Sequence, residues 1–218
     1  MTRSSMLEEL AALIAEIRLS HPLRVAINGV DGAGKTILAD ELVEPLRSHG
    51  REVIRASIDG FHNPRSVRYG RGRNSPEGYF RDSFDYAALR QYLLEPLGSQ
   101  GSGLYRAAVF DWRTDSPVIS PLKRAPNEAV VLIDGIFLLR PELMPYWDFT
   151  VFLDVREDIA IARCAARDGS SPDVNAATNR RYVEGQQLYF AECDPKGHAD
   201  VVIDNNDLSA PVLISGSH

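Results

Sequence analysis

Cysteine is almost absent from this chain of 218 residues: Cys164 and Cys193 are the only two, and neither belongs to a metal-type pair. That excludes a disulfide-stapled scaffold and a cysteine-paired metal module. Two such thiols read as free, in a reducing cytoplasm. Long apolar runs are missing too, none approaching the roughly 20 residues that a membrane-spanning helix needs. The N-terminus does not read as a secretory signal, since Arg3 is followed by Glu8, Glu9 and Glu16 where a signal is continuously apolar. Positive charge is short: the net charge is −6 and there is no large basic run. This argues against a membrane or a nucleic-acid polymer as partner and leaves small molecules. The N-K-x-D motif that guanine-nucleotide switches use to read their base is also absent. No internal repeat, linker or low-complexity segment divides the chain, so residues 1–218 read as one domain.

What is present starts with Gly29-Val30-Asp31-Gly32-Ala33-Gly34-Lys35-Thr36, which fits G-x-x-x-x-G-K-[ST]. An apolar run, Leu23 to Ile27, precedes it as a strand, and Ile37 to Arg47 follows as a helix. That context is what a phosphate-binding loop requires. Glycines let backbone N–H groups turn inward toward phosphate oxygens, and the helix N-terminus adds partial positive charge. Lys35 then reaches the β- and γ-phosphates, and the Thr36 hydroxyl can ligate Mg²⁺.

Further elements follow from period and punctuation. An amphipathic helix over 5–20 opens the chain, with Ser5 and Glu8 as a capping box. A core over 22–206 alternates strands with helices: Glu52 to Ile58, Ala129 to Ile133, Phe149 to Val155 and Ala199 to Ile203 as strands, Tyr86 to Leu94, Glu157 to Arg167 and Val174 to Glu192 as helices. Leu104 to Phe110 and Val118 to Ile119 read as a hairpin excursion. Alternation of this kind predicts an α/β fold, a doubly wound, mostly parallel sheet with helices on both faces. Residues 60–80, rich in Gly, Pro, Asn and Arg, read as a long functional loop, and the helix end around 163–175 as a small lid.

Two acids stand at strand ends, where open parallel sheets bind ligands. Asp134 closes the run Val130-Val131-Leu132-Ile133, as the second acidic element of a phosphate-loop enzyme does; it would hold Mg²⁺, although an acid there also caps helices. Asp59 ends the strand before Gly60-Phe61-His62 and could take a proton from a substrate hydroxyl, or cap the next turn.

The order phosphate loop, Asp59-Gly60-Phe61-His62, Asp82-Ser83-Phe84-Asp85, Val109-Phe110-Asp111-Trp112, Ile133-Asp134-Gly135 and an arginine-bearing helix resembles the uridine kinase, pantothenate kinase and phosphoribulokinase superfamily of P-loop NTPases, over roughly 22–206. The resemblance is greatest to bacterial uridine kinase-like proteins. It implies an ATP- and Mg²⁺-dependent kinase acting on the primary hydroxyl of a small molecule. Asp59 would be the general base. Gly29, Asp31, Gly32, Ala33, Gly34, Lys35 and Thr36 would hold ATP, with Thr36 and Asp134 on the metal. Phe110 and Trp112 fall on the aromatic positions that stack on a pyrimidine, and His62 lies in the same pocket. Arg163 and Arg167, one helical turn apart, would clamp phosphates. Asp82 or Asp85 lies near the ribose-hydroxyl acid. Related kinases are often homo-oligomers. On residue type alone, Phe110 and Trp112 read first as core residues on one strand face, two positions apart, and the arginines as a solvated helix face.

Three positions depart from the pattern. Asp134 replaces the usual Glu. Asp115 stands where uridine kinases carry a His that reads the base edge, and an acid there selects hydrogen-bond donors instead. The lid loop reads Gly169-Ser170-Ser171-Pro172-Asp173, without the family's further arginines, which leaves Arg180 and Arg181 as substitutes. The spelling Asp59-Gly60-Phe61 is that of pantothenate kinases, and the cluster Arg65, Arg68, Arg71 and Arg73 suits an acidic acceptor. The expected acceptor is a nucleoside, with pantothenate, a sugar or a sugar acid as the rival and a regulatory nucleotide switch behind both.

Overall fold

The apolar runs assemble into a six-stranded sheet in the computed structural model, which describes residues 2–215. The ends of the expected 1–218 domain, residue 1 and residues 216–218, lie outside the described residues. The strands are β1 (Leu23–Gly29), β2 (Val53–Ser57), β3 (Val130–Gly135), β4 (Phe149–Asp154), β5 (Val201–Asp204) and β6 (Val212–Ser215), ordered β2-β3-β1-β4-β5-β6. The first five are parallel, and β6 adds an antiparallel edge to β5. β1 and β3 are buried along their whole length, as strands covered on both faces must be. One apolar layer holds Leu10, Ile14, Leu38 and Leu46, and the opposite layer holds Phe61, Phe80, Leu93 and Phe137. Among the described residues no helix is long and apolar enough to cross a membrane.

Several local expectations shift by a turn or more. The first helix, α1, runs Arg3–Glu16, and its capping box uses Thr2 and Ser5 rather than Ser5 and Glu8. The Ser5 hydroxyl accepts from the Thr2 N–H at 3.0 Å, the role foreseen for a Glu. α1 stops early because Arg51 donates to the Ala15 and Ile17 carbonyls at 3.0 and 2.8 Å, satisfying its last turn. The helix after the phosphate loop splits into α2 (Lys35–Glu41) and α3 (Val43–Ser48); Pro45 has no N–H to continue the ladder.

Residues 60–80 are not a structureless loop. They carry a short helix at Arg65–Arg68 and a second, α4 (Pro76–Asp82), capped by Ser75. α4 packs on the long helix α6 (Arg180–Cys193), which follows α5 (Glu157–Asp168). The helix expected from Val174 begins only at Arg180, because the Asn179 side chain donates to the Ser171 and Asp173 carbonyls and holds that stretch in turns. The hairpin expected from Val118 and Ile119 is two small ladders instead: Leu104–Tyr105 with Lys123–Arg124, and Phe110–Asp111 with Ser116–Pro117.

Candidate active site

β1 lies where the sheet order reverses: β3 and β2 flank it on one side, β4 and β5 on the other. A crevice opens beyond the carboxyl ends of strands at such a switch point. The phosphate loop leaves β1 there. Gly32 sits at φ +75°, and a Cβ on it would fall onto the Ala160 carbonyl oxygen of α5. Gly34, at φ +90°, is the N-cap of α2, a left-handed conformation suited to glycine. The buried side chain of Asn205 donates to the Ala33 carbonyl at 2.7 Å, tying the loop to the end of β5.

A cavity of about 500 Å³ opens over this loop, lined by Asp31, Lys35, Thr36, Ser57, Asp59, Asp134, Arg163, Arg167 and Leu208 among others. Lys35 donates to the Val30 carbonyl at 2.7 Å. Burial pushes its ammonium below the ordinary pKa, while Asp31, Asp134 and Asp59 oppose that. Thr36 Oγ1 donates to Asp134 Oδ2 at 2.7 Å. Arg55 pairs with Asp134 Oδ1 at 2.9 Å, and the Ser57 hydroxyl lies 3.4 Å from Oδ2. A hydroxyl and a carboxylate oxygen thus converge at the cavity floor. Two oxygen ligands suit magnesium when substrate phosphates complete its shell. Among the described residues no group of three or more His, Cys, Asp or Glu could hold a metal unaided. The pair therefore fits a shared magnesium rather than a dedicated metal cage.

Asp59 stands in a short 3₁₀ turn, Ile58–Phe61, at the end of β2. Withdrawal from water raises its carboxyl pKa; His62 and Lys35 oppose the shift, and Asp31 and Asp134 reinforce it. Its side chain is 59% exposed, so solvent screens part of that effect. His62 Nδ1 lies 3.0 Å from the Asp59 carbonyl oxygen. Burial lowers the His62 pKa, and Arg68 adds to the lowering.

Beside Asp59 runs the segment 107–112. The Gly60 carbonyl accepts from the Val109 N–H at 2.9 Å, and a Cβ on Gly60 would meet Ala108 Cβ at 2.7 Å. The His62 ring lies 4.5 Å from Phe84 and 5.9 Å from Trp112. Phe110 is buried and Trp112 is 37% exposed. Their i, i+2 spacing does not place them on one strand face. The ladder ends at Asp111, whose carboxylate accepts from the Arg113 N–H and the Thr114 hydroxyl and turns the chain.

Other expected residues are already engaged. Asp115, at φ +54°, accepts from the Arg65 N–H at 2.9 Å and pairs with Arg68 at 3.2 Å. Asp82 pairs with Arg71 at 2.8 Å, and Asp85 caps the helix that begins at Tyr86. Arg163 donates to the Asn205 and Asn206 carbonyls at 2.9 and 2.8 Å. Arg167 pairs with Asp168 at 3.1 Å. His62, Asp82, Phe110, Trp112 and Asp115 lie outside the residues that line the 500 Å³ cavity; Asp59 marks the boundary between the two groups.

Four residues at the site escape sequence reasoning. Tyr79 donates its phenol to Asp31, and Gln186 donates to the same oxygen at 3.3 Å, so α4 and α6 grip the phosphate loop. Burial and the Asp31 charge hold the Tyr79 phenol well above its ordinary pKa. Arg55 and Asn205 complete the set. Only Arg55 carried a signal, an arginine two positions from Ser57 in a strand and hence on the same face.

No family model matches the chain. A uridine kinase of Ligilactobacillus salivarius is 25% identical over 190 residues, covering 85% of this chain and 86% of that protein. A solved structure described as a possible uridine kinase, from Bacillus stearothermophilus, superposes with a TM-score of 0.72 at 24% identity, covering 91% of this chain and 97% of the other. Phosphoribulokinase from Rhodobacter spheroides gives a TM-score of 0.58 at 13% identity, covering 85% and 70%. The chain is thus similar to uridine kinases along most of its length and has the fold of the phosphate-loop kinases, an α/β domain on a mostly parallel sheet.

Proposed function

We propose that this chain is an ATP- and Mg²⁺-dependent kinase that transfers the γ-phosphoryl group to the primary hydroxyl of a small molecule, a nucleoside first among acceptors. The observation that carries this reading is the shared cavity: Lys35 and Thr36 on the phosphate loop, Asp134 on its floor and Asp59 on its wall. Lys35 stabilises negative charge developing on the phosphoryl oxygens. Asp59 accepts the hydroxyl proton as the acceptor oxygen bonds to phosphorus and the β–γ bridge breaks. Arg163 and Arg167, which line the same cavity, close over the transferred group. Thr36 and Asp134 would hold magnesium, which would supply positive charge to the nucleotide phosphates. Positioning and electrostatics carry most of the acceleration in such a reaction. A cytoplasmic location goes with this reading.

The nucleoside assignment is supported by the similarity to uridine kinases and by the His62–Trp112 wall beside Asp59. A second reading, an acceptor bearing an acidic group, is favoured by the arginines of the segment after His62. An ADP-release assay with ATP·Mg²⁺ against nucleosides, pantothenate, sugars and sugar acids, with Asp59→Asn as control, tests the proposal. Turnover with one acceptor that disappears in the variant is the expected result. No ADP release with any acceptor from a protein that still binds ATP would remove the kinase reading.

A further inference from the structure

Three guanidinium groups gather on one phenol ring. The Arg68, Arg73 and Arg181 carbons lie 5.5, 5.5 and 4.9 Å from the centre of the Tyr69 ring. Arg181 also lies 5.5 Å from the centre of the Tyr79 ring. Arg68 and Arg181 are 6% and 8% exposed. In each of them the Nε–H is buried with no hydrogen-bond partner. Buried donors are almost always satisfied, so two orphaned ones in a single cluster call for a ligand. The charge balance points the same way. Among the described residues, Asp115 is the only carboxylate paired with any of the three, and it also serves the Arg65 N–H. Among the described residues, the Arg181 guanidinium donates only to the Arg73 carbonyl. Arg181 is thus a buried cation with no paired carboxylate among the described residues, which is costly, and in a chain of net charge −6 the crowding of arginines here is local rather than compositional.

The cluster lies between the two sides of the proposed site. Arg68 follows His62 by six residues and is held by Asp115 in the turn after Trp112. Arg181 covers Tyr79, whose hydroxyl is bonded to Asp31 of the phosphate loop. Nucleotide phosphates have their own cradle in that loop, so an anion here belongs to a different molecule.

We propose that Arg68, Arg73 and Arg181 form an anion subsite that takes a carboxylate or phosphate group of the acceptor, remote from the hydroxyl that Asp59 activates. The assignment rests on the kinase reading above and chooses between its two acceptors: an uncharged nucleoside leaves the subsite empty. Guanidinium forks match carboxylate and phosphate oxygens in geometry as well as charge.

Calorimetric titration of the full chain with D-glycerate, pantothenate, inorganic phosphate and uridine tests this, in the natural protein, Arg181→Gln and Arg73→Gln, with thermal melts confirming folding. Arg73 is exposed, so its variant keeps the test alive should Arg181→Gln fail to fold. An acidic acceptor is expected to bind and to weaken by ~10-fold or more in Arg181→Gln and a few-fold in Arg73→Gln. Uridine binding with no acid binding, or acid binding unchanged in both variants, overturns the proposal. Inorganic phosphate that binds but is not displaced by either acid overturns the assignment to the acceptor. Parallel ADP-release assays separate the two readings: acid binding lost in the variants but without ADP release keeps the subsite and removes the kinase, and uridine turnover without acid binding does the reverse.

Discussion

The two walls of the cleft are built by different means. The phosphate wall is one contiguous run, Gly29 to Thr36, completed by Asp134 from the adjacent strand in exact register with Ile27. The proposed acceptor wall draws on segments far apart in the chain: Asp59 to Arg73, Phe110 to Asp115 and Arg181. On the first wall, backbone geometry imposes residue identity, because a loop that wraps phosphate needs glycine at Gly32 and Gly34 and a cation at Lys35. On the second, side chains expected at the acceptor also hold one another, as Asp115 holds Arg68. The contrast implies that the phosphate wall tolerates little and that the acceptor wall can be retuned.

Variants sharpen that contrast. Lys35→Ala removes a half-buried cation from the phosphate wall and should cut turnover by ~10²- to 10³-fold while weakening nucleotide binding; intact nucleotide binding in a titration would break the division between walls. Asp59→Asn, at the boundary, should lose ~10²-fold in kcat with nucleotide binding nearly unchanged. In the proposed role of base, the same residue would set a pH dependence. Its carboxyl pKa is raised and the base works deprotonated, so kcat should fall as pH drops through that raised pKa and level off above it. A pH–rate profile that keeps its acid limb in Asp59→Asn would assign that limb to another group.

Smaller effects follow. Gly32→Ala should cost ~1–3 kcal/mol of stability, read as a lowered Tm, since alanine at φ +75° also meets the Ala160 carbonyl. Arg55→Ala frees the outer oxygen of Asp134 and should raise the magnesium concentration for half-maximal rate by ~10-fold. Smallest is Asp115→His, expected to move acceptor preference a few-fold toward uridine, by ~1 kcal/mol or less. An unchanged acceptor profile would leave Asp115 as a purely structural partner of Arg68.

The legible parts of the chain were those with a local cause. β1, the phosphate loop, β3 and β4 could be read because a buried parallel strand is a continuous apolar run and a phosphate loop is a fixed spacing. The boundary of α1 could not, because the carbonyls that end it are taken by Arg51, 34 residues downstream of Ile17. The edge strand β6 carries little pattern: it lies on the sheet margin, with Val212 and Ile214 half exposed. The segment 60–80 has a loop-like composition, whereas the helix α4 that it leads into is stabilised by packing on α6 rather than by propensity.

Sequence by itself determined the strand–loop–helix that holds phosphate, the acids closing β2 and β3 and the alternation that demands a parallel sheet, since each follows from spacing within a few residues. Tertiary structure alone decided that Tyr79 and Gln186 grip Asp31, that Arg55 braces Asp134, that Asp115 is bound to Arg68 and that three arginines meet on Tyr69. Apart from the local approach of Arg68 and Arg73 to Tyr69, those contacts join residues some 40 to 160 positions apart, and only the packed sheet and the docking of α4 on α6 bring them within hydrogen-bonding or stacking distance.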